Sequence, residues 1–507
     1  MTSSKTLRLF ISGFSLVLLF SLVTVKEVAA LSITGQNKIR YGRQAVSQTG
    51  LTDDLYYLEN YFELFASFEK FRFHVRQRYL MPSEYGQRLD GLAAFDKIDV
   101  EYITDHLRIK GGDFYQEWGR GLLMGSLESI DLNFDSGLEG LVVEGDYKNF
   151  EVSIFRGVEV DTTNTVQEGA GGGMLSYRFP FGLKLGGSII HLDDGIRHEA
   201  IDRRGVEGEY IFDFGSAYVS YTTDSYFYGT YPHGFYSALE FFGRNWAVLL
   251  DYKNYRFAYY VVPALLFPPQ VFPENIMYLF SRNKPATHFT NDVGLQADLT
   301  YRWNDWDFNL NVNQSSYQEK IKILPSLDLS QRPFWSTFFS AEYAPLGKDR
   351  VLFQGGYMEN TALNYRYGAG TLYEWRINRK LSLTGELQFD KYITPTWVDD
   401  IAHWGGYREA YLLVGLAKSH FGTITGTLGM SNDPWASQGA IPKGWLKSDF
   451  WGRDMYWPAI LLTADFMEQH QIRVFYGYDR GGLGCAGGLC RWVPPFRGIK
   501  VSLTSQF

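Results

Sequence analysis

Apolar and polar side chains alternate along this chain in segment after segment, and the connections between segments alternate too, short and then long. In residues 70–79, Lys70, Arg72, His74, Arg76 and Arg78 fall on one face while Phe71, Phe73, Val75 and Tyr79 fall on the other. The pattern repeats with Ile98, Val100 and Tyr102 opposite Lys97, Asp99 and Glu101, then with Leu107 and Ile109 opposite His106, Arg108 and Lys110. A period of two is the signature of a strand with one apolar and one polar face.

Read this way, the first twelve strands are expected at 33–43, 56–67, 70–79, 95–103, 106–115, 139–146, 149–157, 171–179, 182–191, 206–213, 216–224 and 234–243. Twelve more follow at 245–256, 290–302, 305–315, 334–344, 349–359, 366–376, 380–390, 407–417, 420–430, 457–467, 470–479 and 495–507. Of the connections between these 24 segments, eleven have one to four residues and twelve have six to 33, in strict alternation. A soluble sandwich has no reason to place every long loop at one end, whereas a bacterial barrel has an even strand number, tight periplasmic turns and longer outer loops. The expected fold is therefore all-β, a single large closed antiparallel transmembrane barrel of about 24 strands. The last strand fits, with Val501, Leu503 and the terminal Phe507 on one face and Lys500, Ser502, Thr504 and Gln506 on the other. Such an end matches the signal by which barrel-assembly machinery recognises its substrates.

Residues 1–30 read as a cleaved secretory signal: Lys5 and Arg8, an apolar run from Leu9 to Val25, then Val28, Ala29 and Ala30 before the expected cut. The barrel is expected to occupy 31–507. There Pro263, Pro268, Pro269 and Pro273 break the best candidate for an apolar helix, so any crossing of a membrane must use strands. The chain carries −8; Lys5, Arg8 and Lys26 against Glu27 give the signal +2, leaving −10 on the mature part. That balance argues against a nucleic-acid partner. Catalytic motifs are missing as well: His198 and Glu199 do not extend to a zinc-binding HExxH, and neither a Gly-x-Ser-x-Gly elbow nor a phosphate loop occurs. Neither an enzymatic activity nor a cofactor or metal is expected.

Several groups could carry function. Cys485 and Cys490, within GGLGCAGGLC, are expected to form a disulfide that pins a glycine-rich outer loop. The basic ladder containing Arg72, Arg76 and Arg78 could line a pore, although Glu59 and Glu63 on the preceding strand are expected to lie across from Arg78 and His74 through a turn at Phe68 and Glu69. The third outer loop, 116–138, holds Leu122, Leu123 and Met124, which are awkward in free water; they suggest that it packs inward, as the constriction loop of a porin does, or against another part of the outer surface. Glu117, Arg120 and Asp131 are then the charges nearest the constriction. Two more loops are rich in apolar and aromatic residues, 257–289 and 431–456, the latter with Trp435, Trp445 and Trp451; they could bind sugars or proteins, or cover the barrel mouth.

The stretches GDFYQEWGRGLLM, 112–124, and DRGGLGCAGGLCRWVPPFRGIKVSLTSQF, 479–507, resemble an uncharacterised family of outer-membrane barrels from Bacteroidetes-type bacteria that carries a domain of unknown function. The resemblance implies a barrel in the outer membrane of a Gram-negative bacterium and no established activity. Two readings remain open: a channel or uptake barrel for small polar solutes, and a non-conducting binding or scaffold barrel whose outer loops engage a partner or surface glycan.

Overall fold

The computed structural model describes residues 31–45, 54–84, 95–131, 134–160, 166–194, 199–225, 232–257, 266, 268–269, 277–281, 292–317, 333–360, 364–398, 401–432, 455–486, 489–493 and 495–507. The expected signal, 1–30, lies outside these residues, as do Trp435, Trp445 and Trp451 of the aromatic loop.

Every expected segment is a strand. The first five are β1 (Leu31–Ala45), β2 (Asp54–Phe68), β3 (Phe71–Leu80), β4 (Lys97–Ile103) and β5 (Leu107–Phe114). Four two-residue strands follow within the third loop: β6 (Glu117–Trp118), β7 (Met124–Gly125), β8 (Glu128–Ser129) and β9 (Phe134–Asp135). The wall resumes with β10 (Leu138–Tyr147), β11 (Phe150–Val160), β12 (Val166–Arg178), β13 (Leu183–Asp194), β14 (Glu199–Phe212), β15 (Gly215–Asp224), β16 (His233–Phe242) and β17 (Trp246–Arg256). After a one-turn helix at Tyr278–Ser281 come β18 (Asp292–Trp303), β19 (Trp306–Tyr317), β20 (Pro333–Tyr343), β21 (Arg350–Asn360), β22 (Asn364–Asn378), β23 (Leu381–Val398) and β24 (Ile401–Lys418). The chain ends with β25 (Gly422–Ser431), β26 (Met455–Phe466), β27 (His470–Asp479), the small hairpin β28 (Gly482–Ala486) and β29 (Leu489–Val493), and β30 (Phe496–Gln506).

Twenty-four of these strands form one antiparallel sheet, each paired with its neighbour in the chain. β1 pairs with β30 and closes the cylinder. At the seam Gly35 and Phe507 exchange both backbone hydrogen bonds, at 2.8 and 3.0 Å. Gly35 is required there, since a Cβ would stand 2.5 Å from the Phe507 ring. With strands about 4.8 Å apart and tilted by about 40°, the wall has a circumference of about 150 Å and a backbone diameter of about 48 Å.

Which face points inward follows from what covers it. The apolar column of β3, with Phe71 and Phe73, is exposed, whereas Arg76 on the opposite face is 1 % exposed and carries loop residues against it. The outward face is thus the apolar one, and it carries aromatic residues near the tight turns, among them Phe150, Tyr210, Trp246, Trp303 and Trp375. This is the pattern of a wall that faces lipid. Three of the two-residue turns, at 69–70, 148–149 and 304–305, fit the right-handed strand twist because their first residues, Glu69, Lys148 and Asn304, adopt φ of 49°, 57° and 52°.

Two expectations are corrected. The turn after β2 falls on Glu69 and Lys70, so the register is two residues from the one expected: Glu63 faces Arg76, and Glu59 faces Leu80. A shift of two keeps every side chain on its expected face, which is why the periodicity could not reveal it. The connection lengths also do not alternate strictly. Residues 344–349 give a tight-turn connection of six residues, and at the other end β23 and β24 run on to Val398 and Ile401, leaving only 399–400 between them. The partnership of β22 with β23 stops at Tyr365 and Ile393, so the β23–β24 hairpin climbs above its neighbours.

Candidate functional site: an inward-folded double hairpin

The third loop folds onto the inner wall as two small hairpins in tandem. Its departure begins at Gly112, whose φ of 101° bends β5; a Cβ there would meet the Ile98 carbonyl oxygen at 2.1 Å. β6 then pairs with β7, Trp118 opposite Met124, around a tip in which Gly119, Arg120 and Gly121 are all left-handed, with φ of 64°, 54° and 82°. The Leu123 and Gly121 amides donate to the Trp118 carbonyl and tighten this tip.

The first hairpin is an apolar foot. Leu122, Leu123 and Met124 are fully buried. Leu123, Met124 and Trp118 pack with Phe114, Leu138, Val142, Phe155, Ala170 and Ile190, while Leu122 packs with Tyr218, Tyr236, Tyr255, Phe257 and Leu266. Removing three such side chains from water stabilises the docked hairpin by roughly 2 kcal/mol each. A glycine on the wall makes the seat: a Cβ on Gly205 would lie 2.2 Å from Leu123 Cδ2. Beside it Arg203, wholly buried, binds Asp224 through Nε at 2.7 Å and Nη2 at 3.1 Å, and its Nη1 reaches the Leu123 carbonyl at 3.5 Å. Gly205→Val is therefore expected to displace the hairpin without unfolding the barrel, measured as faster protease cleavage between 116 and 126.

The second hairpin, β8 paired with β9, is an acidic foot set on the opposite, basic stretch of wall. Glu128 binds Arg76 at 2.6 Å, Asp135 binds Lys97 at 2.8 Å, and Asp131 binds Lys38 at 3.2 Å and also Arg40. Burial pushes the Glu128 carboxyl above its usual range, with the charges of Lys97 and Arg76 pulling the other way. Between the two feet, Ser126 and Ser136 tie the strap to itself: the Gln116 amide donates to Ser126 Oγ at 2.7 Å and the Leu127 amide to Ser136 Oγ at 3.0 Å.

The candidate residues therefore divide into two groups. Arg76 and Arg78 are buried in a network with Glu63, Asp96 and the acidic foot, and Arg72 is more exposed, 3.8 Å from Glu101. His74 binds Asp99 at 2.9 Å. Arg120 lies elsewhere, its guanidinium 4.1 Å above the Tyr218 ring. Glu117 is exposed at the mouth of a cavity of about 820 Å³, walled by the strap at 116–120, the β4–β5 turn and the tight-turn half of β10–β15. In that cavity Arg108 is held by Glu144 at 2.6 Å and Lys184 by Glu151 at 2.7 Å, and the Tyr218 hydroxyl donates to Glu207 at 3.1 Å. The lining carries seven carboxylates against five Lys and Arg, so the cavity is biased towards negative charge.

A second segment also turns inward. Its one-turn helix packs Met277 and Phe280 on Phe334, Phe338 and Met358, and Tyr278 stacks on Tyr411 at 4.3 Å. The Arg366 guanidinium donates to the Leu279 carbonyl at 2.9 Å and to Glu409 at 3.1 Å, and it also binds Asp390. Arg480, just before β28, reaches the same Glu409. The register sets Cys485 opposite Cys490 on β28 and β29.

Residues 461–507 match a family of unknown function, DUF6029. We found no match to the chain among curated proteins. Solved outer-membrane structures are similar in outline. OpdO of Pseudomonas aeruginosa is 10 % identical over 68 % of this chain and 96 % of its own, with a TM-score of 0.42. The siderophore receptor PirA of the same organism is 8 % identical over 95 % and 81 %, with a TM-score of 0.44. The translocation pore of the P pilus usher PapC is 8 % identical over 94 % and 99 %, also with a TM-score of 0.44.

Proposed function

We propose that the chain is an outer-membrane channel or uptake barrel for small polar solutes in which the strap 115–137 sets the size cutoff. One observation carries this reading: the strap lies inside the lumen on two built seats, apolar at one foot and ionic at the other, with a polar cavity directly on its tight-turn side. A loop meant only to display a surface would leave Leu122, Leu123 and Met124 no such seat. A barrel about 48 Å wide is also far wider than its own side chains can fill, so inward segments are what narrow it.

The basic ladder does not set the charge preference. Arg76 and Arg78 are neutralised by Glu63, Asp96 and the strap carboxylates, His74 is bound to Asp99, and the exposed Arg72 stands 3.8 Å from Glu101. The cavity lining carries more acid than base, with Glu117, Glu207 and Glu209 beside Arg120, and this balance favours cations. Glu207→Gln with Glu209→Gln is expected to lower the cation preference, read as a smaller reversal potential across a salt gradient in a planar bilayer. An unchanged potential would place the selective charges elsewhere.

The alternative, a closed binding or scaffold barrel, draws on the second inward segment at Met277 to Ser281, which occupies the wall across from the strap. In either case the chain would be delivered by the signal at 1–30, inserted by the barrel-assembly machinery, and surrounded by the outer-membrane bilayer. Cys485 and Cys490 are expected to be oxidised, since directly opposed positions of an antiparallel pair bring two cysteines within bonding reach. Labelling of both thiols in the protein taken from cells without reductant would refute this.

A further inference from the structure

On most of the wall the outward column stays apolar from the tight turns upward, as with Leu416, Val414, Leu412 and Ala410 on β24 or Ile472, Val474, Tyr476 and Tyr478 on β27. Across β10 to β14 it does not. On β11 the column runs Phe150, Val152, Ile154 and then Arg156; on β14 it runs Tyr210, Gly208, Val206 and then Arg204. On β10 it reaches Glu139 after Leu141. A tilted strand climbs about 2.5 Å per residue along the barrel axis, so these charges stand about 15–20 Å above the tight-turn end, inside an apolar band about 25 Å tall.

These side chains are open to the surroundings: Arg156 is 63 % exposed and Asp202 51 %. Some satisfy one another, with Arg156 3.5 Å from Asp193, and His191 3.2 Å from Asp193 and 2.7 Å from Asp202. Glu139 and Arg204 are exposed as well, and neither forms an ion pair with another described residue. Midway between them β12 turns Gly169, Gly171 and Gly173 outward, and the Arg156 side chain crosses β12 over Gly171, where a Cβ would stand 2.8 Å from its Cδ, to reach Asp193. Lipid tails cannot solvate an unpaired carboxylate or guanidinium at this depth.

We propose that this face is the contact between two copies of the chain, related by a two-fold axis along the membrane normal in front of β12. Such an axis preserves height and exchanges the flanks, so β10 of one copy lies against β14 of the other. Glu139 and Arg204 are two strands away on either side of β12 and at matching height. Each therefore meets its opposite charge across the axis, twice over, while the glycines of β12 leave only the Arg156–Asp193 pair between the two walls at the axis. The choice of a second copy rests on that complementarity: one face supplies both the unpaired acid and the unpaired base, at positions that the axis superimposes.

The test is native mass spectrometry of the full-length barrel in lipid nanodiscs, with heat-modifiable gel migration to confirm folding. The wild type is expected to be a dimer. Arg204→Glu, which sets Glu against Glu at both contacts, is expected to weaken the dimer at least roughly tenfold, and Glu139→Arg added to it is expected to restore the dimer. If Arg204→Glu does not fold, Arg204→Gln is measured in its place and is expected to weaken the dimer in the same direction. A monomeric wild type overturns the proposal, as does a dimer indifferent to these changes. A monomer that retains a lipopolysaccharide molecule lost in the Arg204 variant overturns it in favour of a lipid seat.

Discussion

Deleting residues 119–127 is expected to raise single-channel conductance by about two-fold or more while the 24-stranded wall stays folded. The deleted stretch contains the whole tip with Leu122, Leu123 and Met124, the three residues that fill the apolar seat. It contains no barrel strand, and the wall hydrogen bonds of β5 with β10 lie outside it. The seat left behind is lined by Phe155, Ala170, Ile190 and Tyr218, which would then face water, a modest cost against a closed sheet. Passage through a wide barrel follows the area left open by its inward segments, so removing one of them enlarges the current. A folded deletion variant with unchanged conductance would contradict the role given to the strap.

The second large effect is expected at Arg203. Replacing it by Met should lower the stability of the barrel in detergent by about 3–5 kcal/mol, because it strands Asp224, 1 % exposed, without its bidentate partner. The change also removes the guanidinium from the Leu123 carbonyl, so the strap should loosen and conductance should rise in the same variant. Arg203→Met with Asp224→Leu replaces both charges by apolar groups and should recover most of the stability. Urea midpoints followed by tryptophan fluorescence would measure both; equal midpoints for Arg203→Met and the wild type would show that the pair contributes little.

What the amino-acid order reveals here follows from the reach of its periodicities. Alternation along a strand is local, so the strands and their faces could be read directly, Phe507 on the apolar face of the last strand included. Register is not local. Glu63 and Arg76 lie on the expected faces, yet their pairing depends on the turn at Glu69 and Lys70, and a slip of two leaves no trace in the pattern. That the strap needs cover was legible because Leu122, Leu123 and Met124 are consecutive and apolar, but the choice between the lumen and another part of the outer surface was not. Its ionic seat was not, since Arg40, Arg76 and Lys97 on the wall meet Asp131, Glu128 and Asp135 only after the sheet has closed. The acids are visible along residues 127–140, LESIDLNFDSGLEG, as a cluster, but the sequence names no partner for them. Gly205 gave no signal either, because a glycine in a strand reads as a weak point until a side chain such as Leu123 is found against it.

The central claim, that the strap bounds a path for small polar solutes, is tested most directly by single-channel recording of the refolded mature protein in a planar bilayer under a salt gradient. Steady open steps with a mild preference for cations are the predicted result. A folded barrel that stays silent would contradict the channel and support the closed binding or scaffold reading.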